Sequence, residues 1–253
     1  MEKINIADVS IHNLTMQESL GAIEDLISKG RPSYLGSVNV DMIVRCHKDL
    51  DFAQYYQKCF LSLTDGVPIL WASKFLGTPL KEKVAGSDLV PKLCALAAAK
   101  GYKLFFLGGR PGAAQAAKQK LLNSFPLLKI VGTYAPPFGF EKDIHEMHKI
   151  ESMIKESRPD IVLVGLGAPK QEKWIGQHYQ FLGVPVMMGV GVTFEFIAGI
   201  VKRAPAWMQR SGFEWLWRLS MEPQRLWKRY LVDDLQFFSL VLKQKFSQVE
   251  VRL

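Results

Sequence analysis

Pro159-Asp-Ile-Val-Leu-Val-Gly-Leu-Gly-Ala-Pro-Lys-Gln-Glu-Lys-Trp174 carries the plainest structural signal in the chain. Ile161 to Val164 is an unbroken apolar run rich in β-branched side chains, the pattern of a strand buried on both faces. Gly165 and Gly167 follow, then Pro169 at an expected first helical position and the helix-forming Gln171-Glu172-Lys173. A strand, a glycine turn and a helix start leave free backbone N–H groups beside a surface without side chains, which suits an anion such as a phosphate. A tight turn with no ligand is written the same way, so this run alone does not choose between the two.

The same unit recurs outward from it. Thr15-Met-Gln-Glu18 has the capping-box pattern and opens a helix that Pro32 is expected to close. Tyr34 to Val38 reads as a strand, with Asn39 suited to cap the next helix. Phe60 to Thr64 is a second strand ending at Asp65-Gly66, after which Pro68 starts a helix, and Gly86-Ser-Asp88 caps another that runs to Lys100. Lys103 to Leu107 ends in Gly108-Gly109-Arg110-Pro111-Gly112 before an Ala-rich helix. Lys129 to Val131 leads into Gly132-Thr-Tyr134, residues 142–157 are helical, and Val184 to Met188 closes at Gly189-Val-Gly191. The expected fold class is α/β, a Rossmann-like, mostly parallel sheet flanked by helices, with a C-terminal helical appendage. Ligands of such sheets lie outside the carboxyl ends of the strands. Ser37, Asn39, Asp65, Gly108, Gly132, Gly167 and Gly191 all fall at those ends, and that convergence favours a ligand site.

A length of 253 residues fits one large α/β domain with an appendage. Composition shifts near Gly199, which divides an expected catalytic core, 1–199, from a basic tail, 200–253. The tail holds ten Lys/Arg, Arg252 among them, against five acids including Glu250, and four of the six Trp. Pro223 suggests a helix start, and from Trp227 the apolar residues Leu231, Leu235, Phe238 and Leu242 recur at helical spacing. Such a face suits an anionic lipid surface, and a helical pair packed on the core is the competing pattern. Nucleic acid is disfavoured because the cations are interleaved with that apolar stripe. No run approaches the ~18–20 apolar residues that span a bilayer. The first residues do not read as a signal peptide. Cys46, Cys59 and Cys94 lack paired spacing and fit a reduced, cytoplasmic protein.

Neither Gly165-x-Gly167 nor Gly189-x-Gly191 completes a dinucleotide fingerprint, which disfavours hydride transfer, and no P-loop is present. Asp65, at a strand end followed by glycine, is the carboxylate placed to take a proton from an attacking hydroxyl, unless it merely caps the following helix. Asp49-Leu-Asp51 has the form of a metal-binding Asp-x-Asp but falls in a helical stretch, and His145-x-x-His148 lies on a polar helix with no third ligand nearby. No metal and no cofactor are expected.

Nine blocks of the chain, in order, carry a resemblance. They are Ser37-Val-Asn-Val40, Thr64-Asp-Gly-Val67, Val84-Ala-Gly-Ser-Asp88, Phe106-Leu-Gly-Gly109, Pro159 to Trp174, Gly189 to Gly199, Val201-Lys-Arg-Ala-Pro-Ala-Trp-Met208, Glu214-Trp-Leu-Trp-Arg-Leu219 and Glu222-Pro-Gln-Arg-Leu-Trp-Lys-Arg-Tyr-Leu231. Over essentially its whole length the sequence resembles the WecG/TagA/CpsF family of bacterial glycosyltransferases. The resemblance implies inverting transfer of a sugar, N-acetylmannosamine or a related hexose, from a UDP-sugar donor to an undecaprenyl-diphosphate-linked acceptor. It implies a cytoplasmic protein, peripheral on the anionic inner face of the membrane, and leaves room for a homo-oligomer.

By that resemblance Asp65 is the catalytic base, and Ser37, Asn39 and Gln171 bind the sugar. Lys83, Arg218, Arg225 and Lys228 meet substrate phosphates, with Lys83 and Lys228 standing where the family often has arginine, at the loss of bidentate geometry. Gly108, Gly109, Gly132, Tyr134, Gly167 and Gly191 are expected to line the nucleotide, with Glu195 at the ribose. The glycine-turn N–H groups and the basic side chains are the donors expected to take up the departing diphosphate. The alternative on the same fold is a non-catalytic UDP-sugar-binding or membrane-scaffold protein.

Overall fold

The computed structural model describes residues 1–250, with side chains through residue 248; Arg252 and the side chain of Glu250 lie outside the described residues. Eight strands form within the described chain: β1 (Lys3–Ile6), β2 (Val9–His12), β3 (Ser33–Val38), β4 (Leu61–Thr64), β5 (Lys103–Gly108), β6 (Lys129–Tyr134), β7 (Ile161–Gly165) and β8 (Val186–Gly189). The last six make one sheet in the order β4-β3-β8-β7-β5-β6, and every pairing in it is parallel. Parallel pairing demands crossovers, and the helices that supply them cover both faces.

The alternation of side chains along a strand sets which face each residue serves. Ile161 and Leu163 of β7 join Leu104, Phe106, Leu35 and Met188 under the helices Met16–Lys29, Gly86–Lys100 and Ala113–Ser124. Val162 and Val164 join Phe105, Leu107, Tyr34 and Met187 under the helices Ile144–Ser157 and Lys170–Leu182. All four β7 side chains are fully buried, each worth roughly 1.5–3 kcal/mol of hydrophobic stabilisation. A third cluster joins β1 and β2 to Met42, Ile43, Phe52, Ile69 and, from the tail, Phe237 and Val241.

Several local expectations change in detail. Gly30, left-handed at φ +63, ends the first helix before Pro32 is reached, while Thr15 and Glu18 close the capping box as read. Ala85, with no side-chain bond, occupies the cap position before Gly86. Pro169 is the residue before the helix Lys170–Leu182, not its first member. β6 runs on to Tyr134, so Gly132 lies inside the strand; a Cβ there would sit 2.3 Å from the Phe105 ring, which accounts for the glycine. The β1–β2 hairpin carries no sequence signal, because its turn places Ala7 and Asp8, not an Asn-Gly pair, at positive φ. His12 of β2 accepts the Ser62 N–H of β4 at 3.0 Å; burial, aided by the Lys3 charge, lowers its pKa to about 4.

Beyond Gly199 the tail forms helices Ala206–Arg210, Glu214–Met221 and Pro223–Lys228, a π turn Arg229–Asp233 and the helix Gln236–Glu250. Pro223 opens its helix as expected. The stripe Leu231, Leu235, Phe238 and Leu242 faces outward, at 49, 56, 54 and 46% exposure. The neighbouring register, Phe237 and Val241, is the buried one. Gln244 accepts the Ala7 N–H at 2.7 Å and donates to Asn5 O at 2.9 Å, clamping the last helix onto the hairpin. No described helix is long and apolar enough to cross a membrane.

Candidate functional site

β4 ends beside β3, and the two strand ends are knit together. Asp65 N donates to Val38 O at 2.7 Å, and Val84 N donates to Thr64 O at 2.7 Å. The second bond brings Lys83 alongside Asp65. Gly66, at φ +116, turns the chain away immediately and is itself the cap of the helix Val67–Leu76, which receives no side-chain cap bond. Asp65 is therefore not a helix cap. Asn39 uses its Oδ1 to accept from Met42 N at 3.0 Å, which turns its amide nitrogen toward the Asp65 carboxylate.

Asp65 keeps partial exposure in a crevice hemmed by protein. That burial is the main reason its carboxyl is raised above the ordinary range, and the negative Glu214 adds to it. Lys83, Asn39 and Arg218 pull the other way. Glu214 and Arg218 belong to the tail, so both ends of the chain's basic and acidic pattern converge on one carboxylate. The hydroxyl of Ser37 is buried without a partner beside Gly86, whose missing side chain leaves room between Ser37, Met188 and Val190. An unpaired hydroxyl, a positioned amide and a carboxyl of raised basicity are the parts of a polyol site with a general base.

A network that sequence reading missed surrounds them. Arg203 Nη1 lies 2.7 Å from Asp88, Lys83 Nζ lies 3.3 Å from Asp88, and Arg203 Nε is 3.5 Å from Glu214. Arg203 Nη2 is buried with no acceptor. These residues sit in recognisable blocks, but nothing in their spacing announces that residues 88 and 203 pair.

The remaining glycine turns lie along the same sheet edge. Gly109 N donates to Gly165 O at 2.8 Å, and a Cβ on Gly108 would come within 2.8 Å of Gly165, so β5 and β7 close up backbone to backbone. Glu195 accepts from Arg110 N at 2.9 Å through one carboxyl oxygen, while its other oxygen is buried without a donor. Gln171 Oε1 accepts from both Gly167 N, 3.2 Å, and Gly191 N, 3.1 Å. Those two N–H groups, expected to face a diphosphate, are occupied by the Gln171 amide.

Tyr134 donates from its hydroxyl to Glu146 and accepts from Lys149 Nζ at 2.6 Å, at the open end of β6. Gly132, being inside the strand, presents no turn. Arg225 pairs with Glu222, which also binds Arg110 at 3.1 Å and so ties the tail to the turn after β5. Lys228 is exposed and acts on Asp233. Asp49 caps the helix Leu50–Gln57 and pairs with Lys173 at 3.2 Å, and His145 and His148 are exposed. Among the described residues no group of three or more His, Cys, Asp or Glu is arranged to hold a metal ion.

The model of the glycosyl transferase WecG/TagA/CpsF family matches residues 4–250. An N-acetylglucosaminyldiphosphoundecaprenol N-acetyl-beta-D-mannosaminyltransferase of Bacillus subtilis (strain 168) is 30% identical over 78% of this chain and 74% of its own. The protein of that name from Bacillus spizizenii (strain ATCC 23059 / NRRL B-14472 / W23) is 35% identical over 72% of this chain and 68% of its own. One from Staphylococcus aureus (strain MW2) is 28% identical over 98% of this chain and 96% of its own. With a family match that takes in both the sheet and the tail, this chain belongs to the WecG/TagA/CpsF family of glycosyl transferases.

Proposed function

We propose that this glycosyltransferase moves N-acetylmannosamine from a UDP-linked donor to an N-acetylglucosaminyl-diphosphoundecaprenol acceptor, with inversion at the anomeric carbon. Asp65 accepts the proton of the acceptor hydroxyl as that oxygen attacks the anomeric carbon from the face opposite UDP. A new carbon–oxygen bond forms, the bond to UDP breaks, and its electron pair leaves on the diphosphate. Lys83, Arg218 and Arg203 supply the positive charge that meets it. The Ser37 hydroxyl and the Asn39 amide hold the sugar, and the free oxygen of Glu195 accepts from the ribose. Arg225 and Lys228 approach the acceptor's diphosphate from the tail.

The observation that carries this reading is the convergence on Asp65 of two cations, Lys83 from the core and Arg218 from the tail, around a carboxyl of raised basicity. Residues 1–199 supply the donor crevice and residues 200–253 the acceptor and membrane side. The outward apolar stripe of the tail, flanked by lysine and arginine, fits the surface of an anionic bilayer in which the polyprenyl chain of the acceptor is anchored. Purified full-length protein is tested with a panel of UDP-sugars and a lipid-diphosphate-GlcNAc acceptor, read by release of UDP. Release with UDP-N-acetylmannosamine, lost in Asp65→Asn while UDP still binds, is the expected result. UDP binding without turnover for every donor overturns it in favour of a binding or scaffold role.

A further inference from the structure

The buried residue after Gln171 has no part in the chemistry above, yet it sits directly behind the donor crevice. Glu172 accepts from Gln171 Nε2 at 2.7 Å, and both side chains are buried. The opposite end of the same amide, Oε1, receives the N–H groups of Gly167 and Gly191, which begin the turns after β7 and β8. We propose that Glu172 is a positioning residue for donor binding: its carboxylate fixes the Gln171 amide so that one carbonyl oxygen ties the β7 and β8 turns together. This inference rests on the donor site proposed above.

The chemistry of the amide makes the orientation decisive. An ionised carboxylate only accepts, so it selects the NH2 end of Gln171 and leaves the carbonyl for the turns. A flipped amide would set its NH2 against two backbone N–H donors and its oxygen against the carboxylate, leaving all five polar groups mismatched in a buried place. Gly189 belongs to the same device, because a Cβ there would lie 2.7 Å from Gln171 Nε2. Since both ends of the amide are committed, Gln171 shapes the sugar-nucleotide crevice by holding the turns.

The groups facing Glu172 are Asp41 and Arg45 of the helix Val40–Lys48, Cys46 of the same helix, Tyr34 of β3, and Tyr56 and Cys59 beyond. Its second oxygen is buried without a donor. Burial raises the carboxyl to about 7. The bond to Gln171 is therefore charge-assisted above that pH and an ordinary neutral bond below it.

The test compares the full-length wild type with Glu172→Gln and Glu172→Leu, measuring UDP affinity by calorimetry, donor KM and kcat from about pH 6 to about pH 8. In the wild type UDP affinity rises severalfold across that range. Glu172→Gln keeps an acceptor for the amide but no titrating group, so the share of the pH dependence that belongs to Glu172 disappears and the rise is shallower than in the wild type. Glu172→Leu weakens donor binding about tenfold throughout, with a smaller change in kcat, and the glutamine variant recovers most of that loss. A glutamine variant that keeps the wild-type pH dependence overturns the proposal, and so does a leucine variant that folds and binds UDP normally. If the leucine protein does not fold, the glutamine variant decides alone. Because UDP affinity is read without turnover, an inactive wild type counts against the transfer reading and leaves this comparison intact.

Discussion

Arg203 at the root of the tail donates to Asp88 across 2.7 Å, on the helix that begins beside the β4 crevice. Asp88 also holds Lys83, and the pair of cations outweighs the burial that would raise its carboxyl, leaving it below the ordinary range. One carboxylate thus positions the core cation next to Asp65 and the guanidinium that meets Glu214. Asp88→Asn is expected to lower kcat/KM about tenfold while costing about 1–2 kcal/mol of stability, since the pair is only partly buried. Arg203→Lys retains the charge but not the reach to Asp88 and Glu214 together, so it recovers little activity. Steady-state kinetics and denaturant titration separate the two effects.

Asp65→Asn is expected to bind UDP as the wild type does and to lose transfer by about 10²–10⁴-fold. Its companion variant is Glu214→Gln. The negative Glu214 disfavours ionisation of Asp65, so removing that charge lowers the Asp65 pKa. The acidic limb of the kcat profile then moves to lower pH. An unmoved limb would separate Glu214 from the base.

Three buried groups make contributions of known sign to the dependence of stability on pH. Burial raises Glu172 and Asp234 to about 7, so in the window from their ordinary values up to about pH 7 the folded chain binds more protons than the unfolded one. Stability contributed by these two groups therefore falls as pH rises through that window, by on the order of 3 kcal/mol each. His12 works in the opposite sense: lowered to about 4, it makes the folded state more stable as pH rises from about 4 to about 6.5. The wild-type slope is a partial cancellation, and the informative quantity is the difference from Glu172→Gln and Asp234→Asn. Both variants are expected to gain stability relative to wild type as pH rises, measured by melting temperature across the range. A parallel shift at all pH values would reject the assignment.

The sheet was legible because its strands are written in a form that admits little else. Ile161 to Val164 is apolar on both faces, and β4, β5, β7 and β8 end in glycine or Asp-Gly where the backbone must turn. Asp65 and Asn39 stood out for the same reason, being polar residues at the ends of apolar runs. Partnership was not legible. Arg203 and Asp88 are far apart in sequence, and only the path of the chain past Gly199 brings them together. Gln171 read as a ligand for sugar, whereas its amide is engaged by two turns and by the residue next to it, a relation that depends on the spacing of β7 and β8. The helical period of the tail was legible, but which of its two adjoining registers packs on the core was not. Helical spacing alone cannot say whether Leu235 and Phe238, or Phe237 and Val241, face the core, and the docking of Gln244 on the β1–β2 hairpin chooses the latter.

That choice of phase gives a clean experiment on the tail. Phe237 is buried in the cluster with the hairpin and the helix Val67–Leu76, so Phe237→Ala leaves a cavity and is expected to cost about 3–5 kcal/mol. Leu235 and Phe238 touch solvent on the adjoining face. Leu235→Asp with Phe238→Asp should leave the denaturation midpoint within experimental scatter, because surface substitutions generally change stability by less than about 0.5 kcal/mol. On the proposed membrane-facing reading, the same double variant removes two apolar anchors and adds two negative charges toward anionic lipid. Co-sedimentation with phosphatidylglycerol vesicles should fall at least about tenfold, each added negative charge or lost apolar anchor being worth about 1 kcal/mol or more. Transfer to a water-soluble, short-chain acceptor should persist, while transfer to acceptor embedded in vesicles drops with the binding. Vesicle binding equal to that of the wild type would show that this face serves something other than a bilayer.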